Sequence, residues 1–269
     1  MMAKIESGQV LTLNPKRPAA VLCAGLVYLV WTVATYLLEG RIDLLQQPTV
    51  AGRYAYIMIA NVLIGTIGAV LIIRSMLISR GVTLVQIGFR SLGRTLLTLA
   101  MAVGVGNVYL FLLRPATTPL LVIVNGFAQV LTVSIAEVVV CWALVGVCFE
   151  LLAKSKGKFC SMTVGVIAAT VFFSVYHIGH SAPFNQIKMM LILLIPGIAT
   201  SLFYVICREI YATIVFHNFQ GTVGVISNLV NPEVLNRPLY PLYFLLILAI
   251  VVLIVADILL VRRTDSAFN

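Results

Sequence analysis

The sequence predicts an all-α, polytopic membrane protein with about eight transmembrane helices in a single domain that covers residues 1–269. Three observations predict it: the composition, the apolar runs and the placement of the basic residues. Of the 269 residues, 61% are hydrophobic and 10% are charged, and the mean hydropathy is +1.08. Soluble domains carry about 25% charged residues. A chain with this little charge cannot cover a water-facing surface, so membrane lipid is its expected surroundings.

The apolar runs are long enough to cross a bilayer, which takes about 20 residues. The predicted spans, in order, are Ala19–Leu38, Ala55–Ser79, Thr95–Leu113, Pro119–Ala153, Cys160–Gly179, Ile187–Ile206, Ile210–Leu229 and Tyr240–Val261. The segment Arg80–Arg94 is too polar to span and is predicted to be an amphipathic connector.

The fourth run, Pro119–Ala153, is longer than one span requires. At about 1.5 Å per residue it would form a helix of about 50 Å, whereas the hydrocarbon core is about 30 Å thick. We therefore expect the run to tilt strongly or to break, with Asn125-Gly126 as the expected break, and we count one span that carries Glu137, preceded by a short partial helix. At its far end Glu150 precedes Lys154 by four residues, the spacing of an ion pair on one helix face.

The net charge of +9 is distributed as in a membrane protein, so no nucleic-acid partner is expected. Eight spans place both termini on one side, and thirteen of the 18 basic residues then fall on that side. The others are Arg41, Arg53, Arg114, Lys188 and Arg237. Because basic residues accumulate on the cytoplasmic side, both termini are predicted to be cytoplasmic.

Glu137 and all three histidines of the chain lie in or at the end of apolar runs. Glu137 is in the fourth run, His177 and His180 close the fifth, and His217 is in the seventh. Such a residue inside a membrane costs about 2.5–3.5 kcal/mol or more, so each marks a candidate functional site. A glutamate and two histidines on separate helices can hold a water between a base and polarising groups. They can equally hold a divalent metal such as zinc, and the residues leave both options open.

Three short motifs in residues 134–221 resemble those of the CAAX protease and bacteriocin-processing (CPBP, or Abi) family of intramembrane proteases. The family pattern is Glu-Glu-x-x-x-Arg, then Phe-x-x-x-His, then His-x-x-x-Asn two helices later. Phe173 and His177 match the second motif. Glu137 fits the first glutamate and His217 the last histidine.

The chain departs from this pattern at three positions. Val138 stands in place of the second glutamate and Trp142 in place of the arginine. Gly221 replaces the asparagine, although Asn218 follows His217 directly. The region that carries the motifs is about 119–229.

The resemblance implies an intramembrane endopeptidase that hydrolyses a membrane-associated peptide, either prenylated, a pheromone or a leader peptide. Glu137 would activate a water with the help of His177, and His217 would stabilise the oxyanion. Asn218 and His180 are candidate supporting groups, and Phe173 and Trp142 would line the substrate pocket. If a divalent ion such as zinc binds, its ligands would be Glu137, His177 and His217. The expected location is a prokaryotic cell membrane.

Two other functions remain open. The missing motif residues favour a catalytically inactive family member that binds a membrane partner as an immunity or regulatory protein. A proton-coupled transporter would also use membrane Glu and His residues, but the sequence has no visible internal repeat.

The predicted spans place the two motif histidines at different depths. Counted from the cytoplasmic loops at about 1.5 Å per residue, His177 lies about 28 Å deep and His217 about 13 Å. If they meet, either the turn Cys207-Arg208-Glu209 lies within the membrane profile, or the fifth helix starts later or tilts. A turn at that depth cannot leave its charges bare, so Arg208 and Glu209 are expected to be paired with each other or with a neighbouring helix end.

Overall fold

A computed structural model describes residues 16–79, 81–115 and 118–263, and within these ranges every regular element is a helix, with no β-strand. The long helices are α1 (Lys16–Leu38), α2 (Val50–Ile78), α3 (Leu92–Leu113), α4 (Leu120–Leu152), α5 (Lys158–Tyr176), α6 (Ile187–Cys207), α7 (Ile210–Asn228) and α8 (Tyr240–Arg262). They correspond one to one with the predicted runs, so the all-α membrane fold is confirmed. The terminal segments 1–15 and 264–269 lie outside the described residues, and the side on which they lie is still a prediction.

Within the described ranges, the candidate membrane spans by length and composition fall on α1 to α6 and on α8, seven in all. The exception is α7, which carries the polar side chains of Thr213, His217, Asn218 and Gln220, all buried. Buried side chains of this kind are sheltered by neighbouring helices, so α7 can be less apolar than a lipid-facing helix.

The centre of the bundle is α4, whose most apolar window is 94% buried. It packs against α7, α8 and α2, and its second half packs against α5. Directly after Glu137 the helix widens into π geometry over Val138–Gly146. Such widened turns are rare and often occur at functional sites.

The expected break at Asn125-Gly126 is wrong, because α4 runs unbroken from Leu120 to Leu152. The Asn125 amide does not compete with the helix backbone. It donates to the carbonyls of Leu235 (2.7 Å) and Arg237 (2.8 Å) and accepts from Tyr243 Oη (2.6 Å). The asparagine therefore ties the loop between α7 and α8 to the middle of the bundle.

The connector contains a short helix, Leu84–Ile87, and holds the turn between α6 and α7. The carbonyl of Gly88 accepts from the Ile210 amide (2.9 Å), and Arg90 Nε donates to the Arg208 carbonyl (2.8 Å). Arg94 donates to the Cys207 carbonyl (3.1 Å). The first turn of α7 is therefore fixed to the segment that precedes α3.

The charges of this turn are partnered, as expected, but not with each other. Arg208 pairs with Glu150 at the end of α4 (Nη2–Oε2 2.8 Å). The pair predicted between Glu150 and Lys154 is therefore wrong, since Lys154 is exposed and the carboxylate faces α6 instead. Glu209 is fully buried and caps α7 by accepting from the Ala212 amide (2.6 Å). Burial raises the pKa of its carboxyl.

Candidate functional site

The Glu137 carboxylate lies between two histidines that come from different helices. Oε2 is 3.0 Å from Nε2 of His217 on α7, and Oε1 is 3.8 Å from Nε2 of His177 at the end of α5. All three side chains are buried. The structure thus brings together the three residues that the sequence singles out. It does so although the residue count along the predicted spans placed His177 and His217 at different depths in the membrane.

The proton on His217 can be located from its neighbours. Its Nδ1 is 3.0 Å from Thr200 Oγ1, and that hydroxyl donates to Gln220 Oε1 (2.8 Å). Thr200 therefore accepts from His217 Nδ1–H. Nε2 of the same ring then faces the Glu137 carboxylate at 3.0 Å.

His177 is oriented by the backbone of its own helix. Its Nδ1 is 2.9 Å from the Phe173 carbonyl, which can only accept, so Nδ1 carries the proton. The other nitrogen, Nε2, is then a bare lone pair directed at Glu137. The chain changes to a tighter helical turn at His177–Gly179, which ends α5 at the site.

A second carboxylate supports His180. Glu39, at the end of α1, lies 3.3 Å from Nδ1 of His180 and accepts from the Ser181 amide (2.8 Å) and the Ser181 hydroxyl (2.5 Å). The imidazole of His180 stacks on that of His177 with ring centroids 4.9 Å apart. Its Nε2 is buried and has no hydrogen-bond partner in the part of the chain that the structure describes.

These groups line a cavity of about 380 Å³. Its polar lining includes Glu39, Arg53, Gln129, Glu137, His177, His180, His217 and Gln220. Most of the remaining lining is apolar, and it includes Ile192 and Ile195 on α6, which are 47% and 69% exposed. In a bilayer these two side chains face lipid, so the cavity has an apolar rim at α6.

The predicted pocket and support residues divide into two groups. Phe173 and His180 line the cavity, whereas Trp142 and Asn218 do not. Trp142 lies behind Phe173 and His217 and donates to Ser201 Oγ (2.8 Å). Asn218 donates to the Phe127 carbonyl of α4 (3.2 Å).

Two of the three positions where the chain departs from the family pattern are filled by packing, and the third, Gly221, lines the cavity. Val138 and Trp142 are buried in the core. At Gly221 a Cβ atom would lie 2.7 Å from Cγ1 of Val130, so the helices α7 and α4 meet where the pattern has an asparagine. A larger side chain at Gly221 would force these helices apart.

The compact set of metal-type ligands differs from the one expected. One ligand atom each from Glu137, His177 and His180 lies within 4.8 Å of the others. The prediction had His217 in place of His180. His217 instead contacts the second oxygen of the carboxylate.

Sequence reasoning missed Glu39, Arg53 and Thr200. Glu39 follows directly after an apolar run, a place where charged residues are common. Arg53 was assigned to a loop, but α2 begins at Val50 and so includes it. Its guanidinium donates to Gln129.

Comparison with known proteins yielded no relative: no family model matches the chain, no curated protein is similar to it, and no solved structure matches it.

Proposed function

We propose that the protein is an intramembrane endopeptidase that hydrolyses a membrane-associated peptide. The supporting observation is the Glu137 carboxylate, held between His177 and His217 on a cavity wall in the middle of an apolar bundle. A prokaryotic cell membrane, as the sequence resemblance suggests, is part of the proposal. So are the prenylated, pheromone or leader peptides named as substrate classes.

In the proposed reaction Glu137 is the general base. A water in the cavity gives a proton to the carboxylate while its oxygen forms a bond to the peptide carbonyl carbon. The negative charge that develops on the carbonyl oxygen is stabilised by a proton donor, for which His217 is the candidate. The C–N bond then breaks, and the proton held by Glu137 passes to the leaving amine.

The cavity suits a substrate held in or on the membrane. Its rim at Ile192 and Ile195 is apolar and exposed, so a lipidated or amphipathic peptide can reach Glu137 without crossing an aqueous phase. Arg53 lines the same cavity and offers a positive charge to an anionic part of the peptide.

The second candidate is a non-catalytic protein that binds a membrane partner through this cavity. The observation that favours it is that Val138 and Trp142, in place of the family's second glutamate and arginine, are packed in the core. An inactive member would keep the cavity while losing turnover.

A cleavage assay with a matched pair of variants tests the proposal. The purified protein, in liposomes, is given internally quenched peptides of two kinds, one farnesylated and one an amphipathic leader type. The wild type should cleave at least one of them, Glu137→Gln should lose at least 100-fold in rate, and Glu233→Gln, an exposed loop carboxylate, should match the wild type. Equal rates for wild type and Glu137→Gln would overturn the proposal. If the wild type and Glu137→Gln bind the peptides equally well and neither cleaves them, that result would support the non-catalytic candidate.

A further inference from the structure

All three histidines of the site are oriented in the same way. Each Nδ1 faces an oxygen that does not belong to Glu137: the Phe173 carbonyl for His177, the Glu39 carboxylate for His180 and Thr200 Oγ1 for His217. The Nε2 atoms of His177 and His217 are thereby directed at Glu137. In metal sites a ligating histidine characteristically uses one nitrogen for the ion and the other for such an oxygen.

Of the three histidines, His180 gives the most specific evidence for a metal ligand. Among the described residues its buried Nε2 has no hydrogen-bond partner, which is unfavourable for a polar atom removed from water. The rest of the ring is held firmly, because Glu39 binds Nδ1 and is itself fixed by two hydrogen bonds from Ser181. A pre-oriented imidazole with an unused lone pair is what a metal ligand requires.

The geometry points to a divalent cation site, of the kind zinc occupies, formed by Glu137 Oε1 and the Nε2 atoms of His177 and His180, with Glu39 as the carboxylate that orients His180. One ligand atom from each residue already lies within 4.8 Å of the others, and Oε1 is 3.8 Å from His177 Nε2. Around a tetrahedral zinc with ligand bonds of about 2.0–2.1 Å, such atoms are about 3.3 Å apart. Closing the set requires side-chain movements of about 1 Å.

Charge favours this occupant. Two carboxylates, Glu39 and Glu137, line one cavity, and Arg53 is the one arginine or lysine among the described residues that line it. A divalent ion bound to Glu137 would offset this negative charge in a region where an isolated charge is costly. His217 would keep its contact with the other carboxylate oxygen, Oε2.

The chemical role of the ion rests on the proposed function, although its binding does not. Three protein ligands leave a fourth position for water, the arrangement of catalytic zinc sites. With Glu137 bound through Oε1, its Oε2 and His217 remain beside that position to accept and return a proton.

Metal content is therefore measured rather than activity. The full chain, purified in detergent without a polyhistidine tag and stripped with chelator, is titrated with Zn²⁺ and with Co²⁺. Bound metal is counted by mass spectrometry, and the Co²⁺ ligand field is followed by absorption. The wild type should bind about one ion per chain, and His180→Ala should weaken binding at least tenfold. Glu39→Gln, which changes no ligand, should weaken it by about 10- to 100-fold.

Glu233→Gln is the matched control, since Glu233 is an exposed loop carboxylate that does not line the cavity and its loss should leave metal affinity within threefold of the wild type. A wild type that binds no ion, or a His180→Ala variant that binds as tightly as the wild type, would overturn the site. If His180→Ala fails to fold, Glu39→Gln decides, because unchanged affinity in that variant contradicts the orienting role. A chain that binds metal but cleaves no peptide would refute the proposed function alone.

Discussion

Thr200 Oγ1 lies 3.0 Å from Nδ1 of His217, on the side of the imidazole opposite Glu137. The hydroxyl donates a hydrogen bond to Gln220 Oε1, so a lone pair of its oxygen is free to accept from His217. A threonine in α6 therefore orients a histidine in α7 and favours a proton on its Nδ1. Thr200 is a positioning residue in this arrangement.

This relationship predicts a graded effect of substitution at Thr200. Thr200→Val removes the hydrogen bonds to both His217 and Gln220. The bond to His217 is worth about 1–1.5 kcal/mol, so peptide cleavage should slow about tenfold. Thr200→Ser should restore the rate, because serine keeps the hydroxyl. The pH–rate profile should shift for Thr200→Val and not for Thr200→Ser. Identical profiles for all three proteins would show that Thr200 only packs against His217.

Two glycines of α3 should respond in opposite ways to alanine. A Cβ at Gly106 would lie 2.0 Å from Cδ2 of Phe219 on α7, whereas a Cβ at Gly104 would meet nothing within 4 Å. Gly106→Ala should destabilise the protein by about 1–3 kcal/mol, as overpacking does. Gly104→Ala should be neutral or stabilise by up to about 1 kcal/mol, because alanine favours helix. Thermal unfolding in detergent distinguishes them, and equal effects would contradict the close approach of α3 and α7.

The ion pair between Arg208 and Glu150 should appear as an energetic coupling. The two side chains are 13% and 23% exposed, so a coupling of about 1 kcal/mol is expected in a double-mutant cycle. Arg208→Ala and Glu150→Ala should each lower stability, and the double variant should lose less than their sum. The control cycle pairs Glu150→Ala with Lys154→Ala and should be additive. Coupling to Lys154 instead of Arg208 would mean that the turn is held in some other way.

The membrane orientation is tested by thiol labelling in a variant without the five native cysteines. Because basic residues accumulate on the cytoplasmic side, Ser155→Cys in the loop after α4 should react with an impermeant maleimide only after the cells are permeabilised. Val230→Cys, in the exposed loop after α7, should react in intact cells. Labelling of Ser155→Cys from outside would reverse the predicted orientation.

Much of the fold could be predicted because an apolar run of sufficient length has few alternatives to forming a membrane-spanning helix. Every long helix corresponds to a predicted run. The error at Asn125 arose from treating the residue as a local helix breaker. Its amide hydrogen-bonds to a loop more than 100 residues away in sequence, and a single chain segment carries no sign of such a partner.

The site was predictable only where an ionisable residue interrupts an apolar run. The cost of burying Glu137, His177 and His217 identified them, and the structure brings them together. Thr200 is a small polar residue that membrane helices commonly carry, so nothing distinguished it. Glu39 follows an apolar run, where a charge is ordinary, and only the packing of α1 against the end of α5 brings it to His180.

The central position of α4 has a consequence for how the protein is made. This helix is synthesised before α5, α7 and α8, which cover it in the finished bundle. Glu137 therefore enters the translocon before either of its histidines exists. The mean hydropathy of 2.3 over the best window of α4 is what allows the nascent chain to insert with that carboxyl. During synthesis there is thus a stage in which the future site consists of one acidic group alone. That stage ends only when the ribosome has synthesised α7.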